Sequence, residues 1–403
     1  MRGPTLSGML LKSLVLRAVL PFAVCLLLAG PAPGQTAAAA SEPAKKSLRE
    51  LLIDDEDGWL DLSEMMFSSS NSRYRFLPIP IPILITEPAV GYGLGLAPVW
   101  FHKPPDRSSG QLVPPSVSMA AAFATTDGSW GGGGGHFHSF KNDTWRVLGF
   151  AGYASLELES AGISTDFAAG QTLEYSIAST FLLLQASRKM SARTLSGLRY
   201  IYAQSDIELE GPDPSTDRSL AGDSTIGGLA VFVEFDSRDS VISPAKGHRF
   251  ELRPGYYGEL FGSDVEYVQV ESSYTGYWHR GPLGFALRVE ADWIDDGAPF
   301  YVKPFISLRG LPAMAYLGEE VFSAEPEIGW KVHPRWTLLA FAGAGRARND
   351  FGPLGETRRD VHTGGAGFRY LLSRQLGLQA GFDFAVSSEG DHALYIVVGN
   401  PWR

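Results

Sequence analysis

The chain has 403 residues, 44% hydrophobic and 12% aromatic, with 46 glycines, 26 prolines, one cysteine and a formal net charge of −10. An acidic chain is a poor nucleic-acid binder, since phosphate neutralisation needs clustered Lys and Arg, and a lone cysteine excludes a disulfide framework or a Cys-ligated metal site. No apolar run after the N-terminal region reaches the ~18 residues of a membrane-spanning helix.

Arg2, Lys12 and Arg17 precede the apolar run Ala18 to Ala29, which is followed by the small residues GPAPGQTAAAA. This is the pattern of a secretory signal peptide, expected over residues 1–40 and removed after Gly34 or within Ala37 to Ala40. Cys25 lies inside the run behind Val24, where a lipidation site needs a small residue, so it leaves with the signal. Losing the three cations takes the charge from −10 to −13.

Residues 41–75 read as a polar periplasmic leader or plug of one or two brief helices and a Ser/Asn linker. Asp61 to Glu64 has capping-box spacing. Asp55, Asp57, Asp61 and Glu64 fall at calcium-loop positions, but Ile53 occupies the position of the first carboxylate. A solvated helix start is therefore preferred, and no metal is assigned. The passage FLPIPIPILITEP follows; its prolines exclude a helix and a central strand alike. The barrel domain is placed from residue 76 to 403, with its first strand read at Gly91 (GYGLGLAP).

From Gly91 to the end, segments of ten to fifteen residues alternate apolar and polar side chains between Gly, Pro, Asp, Asn or Ser turns. In Phe285 to Trp293, Phe285, Leu287, Val289, Ala291 and Trp293 oppose Ala286, Arg288, Glu290 and Asp292. In Glu325 to Val332, Glu325, Glu327, Gly329 and Lys331 oppose Pro326, Ile328, Trp330 and Val332. Leu376 to Val386 repeats the pattern. A soluble sandwich also alternates. The signal peptide, the strand lengths and Trp278, Trp293, Trp336 and Trp402 near strand ends favour a membrane barrel. Lipid offers an open sheet edge no partner, so the strands must close, and the polar face is expected to line a wet lumen.

Roughly fifteen strands are countable from Gly91, and a single-chain bacterial barrel takes an even number. The fold class expected is all-β, a transmembrane antiparallel barrel of 16 strands, with 14 the alternative. Long connections are expected near 295–318 and 348–359, shorter ones near 104–112, 158–170 and 211–223. His136 and His138 share a strand face and read as paired surface histidines rather than a metal site. Gly131 to Gly135 lacks the Lys-Ser/Thr ending of a phosphate loop and reads as structural. No Gly-x-Ser-x-Gly elbow is present, and neither an enzyme activity nor a cofactor is expected.

Three segments carry a family resemblance. EFDSRDSVISPAKGHRFEL (234–252), SLRGL (307–311) and GGAGFRYLLSRQLGLQAGFDFA (364–385) resemble the BamA and TamA family of outer-membrane assembly factors, also called the bacterial surface antigen family. The resemblance implies a periplasmic turn built on Asp236, Arg238, Asp239, Pro244 and Gly247. It also implies a long extracellular loop whose Arg309 folds back into the lumen. Glu327, with Glu325, would hold that arginine, and Gly310 would allow close backbone approach. Both glutamates fall on the inward face, and a buried guanidinium needs carboxylate partners. Two departures stand out: Gly343 replaces an expected acidic partner in FAGAG, and residues 41–75 cannot hold a periplasmic POTRA domain, so the chain looks like a barrel-only member.

The function implied is insertion or assembly of outer-membrane proteins, or transport across that membrane, through the seam between first and last strands. The rival is a passive pore or structural envelope barrel. The partners implied are outer-membrane lipid, nascent outer-membrane proteins and a periplasmic partner, and the address implied is the outer membrane of a Gram-negative bacterium. The closing strand is read over Ala393 to Trp402, with Leu394, Ile396, Val398 and Trp402 on one face. Pro401 and Arg403 beside Trp402 predict imperfect pairing with a glycine-rich first strand.

Overall fold

The computed structural model describes residues 79–399, apart from 88, 103–115, 142, 162–171, 211–221, 241–242, 351–355 and 375–376. The segments read as signal peptide and leader, with Asp55, Asp57, Asp61 and Glu64, and Trp402 lie outside the described residues. Sixteen strands run in chain order: β1 (Ile79–Glu87), β2 (Gly91–Phe101), β3 (Val117–Thr125), β4 (Trp130–Phe140), β5 (Trp145–Ala161), β6 (Thr172–Lys189), β7 (Thr194–Glu210) and β8 (Gly222–Asp236). They continue as β9 (Gly247–Tyr257), β10 (Tyr267–Arg280), β11 (Leu283–Ile294), β12 (Glu320–His333), β13 (Trp336–Asp350), β14 (Glu356–Ser373), β15 (Leu378–Ser387) and β16 (His392–Val398). Each pairs antiparallel with the next in one sheet that curls into a nearly closed barrel. The count is the sixteen expected, not fourteen. An even number puts the start of β1 and the end of β16 at one rim, here called the terminal rim.

The first strand is not where the sequence pattern placed it. GYGLGLAP belongs to β2, and β1 is the proline-bearing IPIPILITE, joined to β2 by a turn in which the Val90 N–H donates to the Glu87 carbonyl. The prolines do exclude a central strand, but an edge strand tolerates them when the missing donors face away from the neighbour. Pro80 and Pro82 share a parity, and the β1–β2 register is unbroken from Ile79↔Val99 to Glu87↔Gly91. Their donor-less side is therefore the side facing β16. Across that seam, among the described residues, β16 and β1 have no hydrogen-bonded ladder. One further boundary differs: the connection expected over 348–359 is strand on both sides, to Asp350 and from Glu356; β16 is described to Val398, and Trp402 of the expected closing strand lies outside the described residues. Gly399, at φ +78°, turns the backbone out of the strand.

The outward face is apolar around the barrel. Leu94, Leu96, Leu184, Leu198, Val233, Phe250, Phe285, Ile328, Phe382 and Phe384 are all exposed. A soluble monomer rarely leaves so continuous an apolar band in water, whereas lipid contact makes it the low-energy arrangement. This decides against the soluble sandwich.

The inward face departs from the expected wet, polar lining. Over β1 to β8 it is largely apolar: Ile81, Ile83, Val99, Met119, Phe150, Leu156, Ile177, Ile201 and Ile226 form one buried cluster, interrupted by the inward Ser179, Ser205 and Ser224. These inward residues are covered by the connection between β11 and β12, whose Tyr301, Val302 and Met314 belong to the same cluster. A sixteen-strand circumference can leave an aqueous channel. Here the interior of that half is instead packed with hydrocarbon.

Polar inward residues concentrate on the later strands. Arg249 binds Glu234 at 2.6 Å and Glu251 at 2.5 Å, and Arg253 binds Glu271 at 2.8 Å and also Glu251. These ion pairs knit β8, β9 and β10 across the lumen wall. Alternation in the sequence marks these positions as inward but does not pair them, because the partners are cross-strand neighbours.

Candidate functional site: the interior loop and the seam

The connection between β11 and β12 leaves the wall and folds into the barrel. Its base is closed by the Ile294 N–H donating to the Glu319 carbonyl at 2.9 Å. Phe305 bridges Leu317, and the Ile306 N–H donates to the Tyr316 carbonyl, so the segment is a narrow hairpin-like arm with Leu308 to Met314 at its tip. Lys303 Nζ binds Glu319 at 2.7 Å and Asn349 Oδ1 at 3.1 Å, tying the arm to the wall. Burial, with the nearby Asp391 and Glu389 carboxylates, pushes the Tyr316 hydroxyl up to about 12.

At the tip, Arg309 is the centre of a buried charge cluster. Its Nε donates to Glu325 Oε1 at 2.9 Å and its backbone N–H to Glu325 Oε2 at 3.1 Å. Nη2 lies 2.8 Å from Glu327 Oε2, and Nη1 donates to Asp383 Oδ2 at 2.9 Å. Arg369 in turn grips Asp383 through both terminal nitrogens, at 2.5 and 2.7 Å. The guanidinium also stacks 3.6 Å from the centroid of Phe341. A planar fork with five donors can serve three carboxylates and an aromatic face at once; an ammonium cannot.

Asp383, on β15, is the acidic partner that sequence reasoning missed. Gly343, where an acid was expected, instead makes room: a Cβ there would lie 2.5 Å from Thr363 Oγ1 and 3.0 Å from Leu308 Cδ2. Gly345 is tighter still, since a Cβ on it would stand 2.2 Å from Ile306 Cγ2. The two glycines of β13 are the groove in which the arm lies. Gly310 has φ +98°, a backbone state that disfavours any side chain.

The tip reaches both strands of the seam. The Gly310 N–H donates to Tyr395 Oη on β16 at 3.0 Å, and the Ala313 N–H donates to Glu87 Oε1 at the end of β1 at 2.9 Å. One arm thus spans a gap that the sheet itself does not close. Neither Tyr395 nor Glu87 was legible as a partner, because the first sits 85 and the second 226 residues from its donor.

The turn residues come together as a compact unit at the terminal rim. Arg238 donates twice to Asp236 through Nε at 3.0 Å and Nη2 at 2.8 Å. Asp239 Oδ1 accepts from the Ala245 and Lys246 N–H groups beside Pro244, and Gly247 takes φ +102° as β9 begins. On β16, Leu394 is exposed on the outward face shared with Ile396 and Val398, and Tyr395 and Val397 face in.

The chain is thus a sixteen-stranded antiparallel barrel with an interior arginine arm and an incomplete seam. Residues 136–306 match the Omp85 superfamily domain. The fold is similar to BamA from Haemophilus ducreyi lacking POTRA domains 1-3, with a TM-score of 0.55 and 13% identity over 87% of this chain and 81% of that one. It is also similar to CdiB from Escherichia coli (TM-score 0.54, 10% identity, 79% of this chain) and from Acinetobacter baumannii (0.54, 10%, 80%). The chain spans 62% and 59% of those two CdiB chains. No curated protein sequence matches it. The match to the Omp85 superfamily domain thus lies within a barrel whose fold is BamA-like.

Proposed function

We propose that this barrel resides in the outer membrane of a Gram-negative bacterium and helps insert or assemble outer-membrane proteins, or moves material across that membrane, by parting β1 from β16. The observation that carries the reading is the seam. Pro80 and Pro82 withdraw two donors on the side facing β16, and the arm holds the two edges through Glu87 and Tyr395. The prolines blunt β1, whereas β16 carries no proline and its edge offers the donors and acceptors that an incoming strand can pair with. The similarity to BamA and CdiB supports the same reading. A residue cluster at Arg309, Gly310, Glu325 and Glu327 would set the arm's position, and the turn Asp236 to Gly247 would brace the terminal rim. Leu394, Ile396 and Val398 would meet lipid or a client strand. Partners of the proposed activity are membrane lipid, nascent barrel proteins and a periplasmic factor. A chain organised as signal peptide, leader over 41–75 and barrel fits this placement.

A passive pore is the weaker reading. Aliphatic side chains pack the interior of β1 to β8, and the arm lies against them through Tyr301, Val302 and Met314. The test is a disulfide between cysteines placed in β1 and β16, which is clean because Cys25 is the only native cysteine. Purified protein in liposomes is expected to accelerate folding of a second barrel when reduced and to lose this when oxidised. Equal rates in both states would sink the proposal.

A further inference from the structure

Six of the eight histidines, His102, His136, His138, His248, His279 and His333, sit near terminal-rim ends of strands or just beyond them. Three of them cluster beside the seam, on the outward face shared with Leu94 and Leu96. Ser118 Oγ lies 2.8 Å from both His102 Nε2 and His136 Nδ1, and Ser116 Oγ lies 2.8 Å from His138 Nδ1. The His136 and His138 rings stack at 5.8 Å, and all three imidazoles are exposed. A serine hydroxyl has one proton, so of the two rings it joins it donates to one and accepts from the other. The ring it donates to, when neutral, carries its own N–H on the far nitrogen. One ring of that pair therefore turns an N–H away from the sheet, toward the membrane, and His138 does the same where Ser116 donates to its Nδ1.

Outward polar donors on a barrel wall are costly in hydrocarbon and favourable at headgroup depth. Aromatic residues mark that depth: Phe140 pairs with Trp145 across β4 and β5, and Arg188 lies 5.7 Å from the Trp145 ring centroid. We infer that His102, His136 and His138, with Ser116 and Ser118, bind the phosphate of a glycerophospholipid in the leaflet at the terminal rim. Each ring whose inner nitrogen accepts from a serine donates through its far nitrogen to a phosphate oxygen, and the acyl chains lie along the outward face toward Leu94 and Leu96. This site needs the barrel to be membrane-embedded but does not depend on insertase activity.

Native mass spectrometry of the full chain released from mixed micelles tests it, with dioleoylphosphatidylglycerol and dioleoylglycerol as probes. Wild type is expected to retain the phospholipid and not the diacylglycerol, and the triple substitution His102→Ala, His136→Ala, His138→Ala to lower retention about tenfold. His362→Ala with His392→Ala, at the opposite rim, is expected to leave retention unchanged. A heat-shift gel on each variant confirms folding. Equal retention by the folded triple variant, equal retention of diacylglycerol, or displacement by millimolar inorganic phosphate would each overturn the assignment, the last in favour of a free-phosphate site.

Discussion

Arg309 shows how much one side chain can hold in a dry interior. It meets Glu325, Glu327 and Asp383 within 2.9 Å or less and lies on Phe341. Removing one member of a buried ion cluster costs about 3–5 kcal/mol, because the carboxylates left behind are uncompensated. Arg309→Met should lower the unfolding free energy in lipid vesicles by about that amount. Arg309→Lys should recover only part of it, since a single ammonium cannot address three carboxylates in the fork geometry. Urea titration followed by tryptophan fluorescence reads both. Of this cluster, Arg309, Glu325 and Glu327 were accessible from sequence, through the SLRGL motif and period-two parity. Asp383 was on the inward parity of its strand, yet nothing in the linear pattern linked β15 to a loop 74 residues earlier.

Among the elements, β1 and the interior arm are matched to each other. A proline-bearing strand cannot complete a ladder on both sides, so the edge needs another anchor, and the Ala313–Glu87 hydrogen bond supplies one. Replacing Pro80 and Pro82 with threonine restores two donors toward β16. Hydrogen exchange at β1 and β16 is expected to slow by about tenfold, the effect of ~1.4 kcal/mol of added seam stability. Client folding in liposomes should slow in parallel. Unchanged exchange would show that the seam is held apart by something other than missing donors. The rule that prolines exclude a central strand was correct for this passage; the inference that no strand lay there was not. Edge and centre differ only in tertiary neighbours.

Across the barrel, the interior is divided between hydrocarbon over β1 to β8 and ion pairs over β8 to β15, with the arm wedged between. The arm presents Tyr301, Val302 and Met314 to the first half and Arg309 to the second. Deleting residues 303–316 while keeping the base at Ile294 and Glu319 should convert a near-silent barrel into a conducting one. Planar bilayer recordings are expected to show wild type with small, infrequent openings and the deletion with steady conductance. Steady conductance from wild type would favour the passive pore.

Local patterns in the chain were enough for the all-β barrel and its even strand number, because these rest on short-range periodicity, and the arginine arm followed from the family resemblance that SLRGL carries. A period of two survives any global arrangement, and strand parity follows the chain. Closure of the sheet alone settled which edge carries the seam, which half of the lumen is dry, and that Glu87, Asp383 and Tyr395 meet one arm. Those depend on curling the sheet until residues up to 226 positions apart come within hydrogen-bond distance. An inward side chain in a barrel faces whatever fills the lumen, and the filler is set by closure rather than by neighbours in sequence.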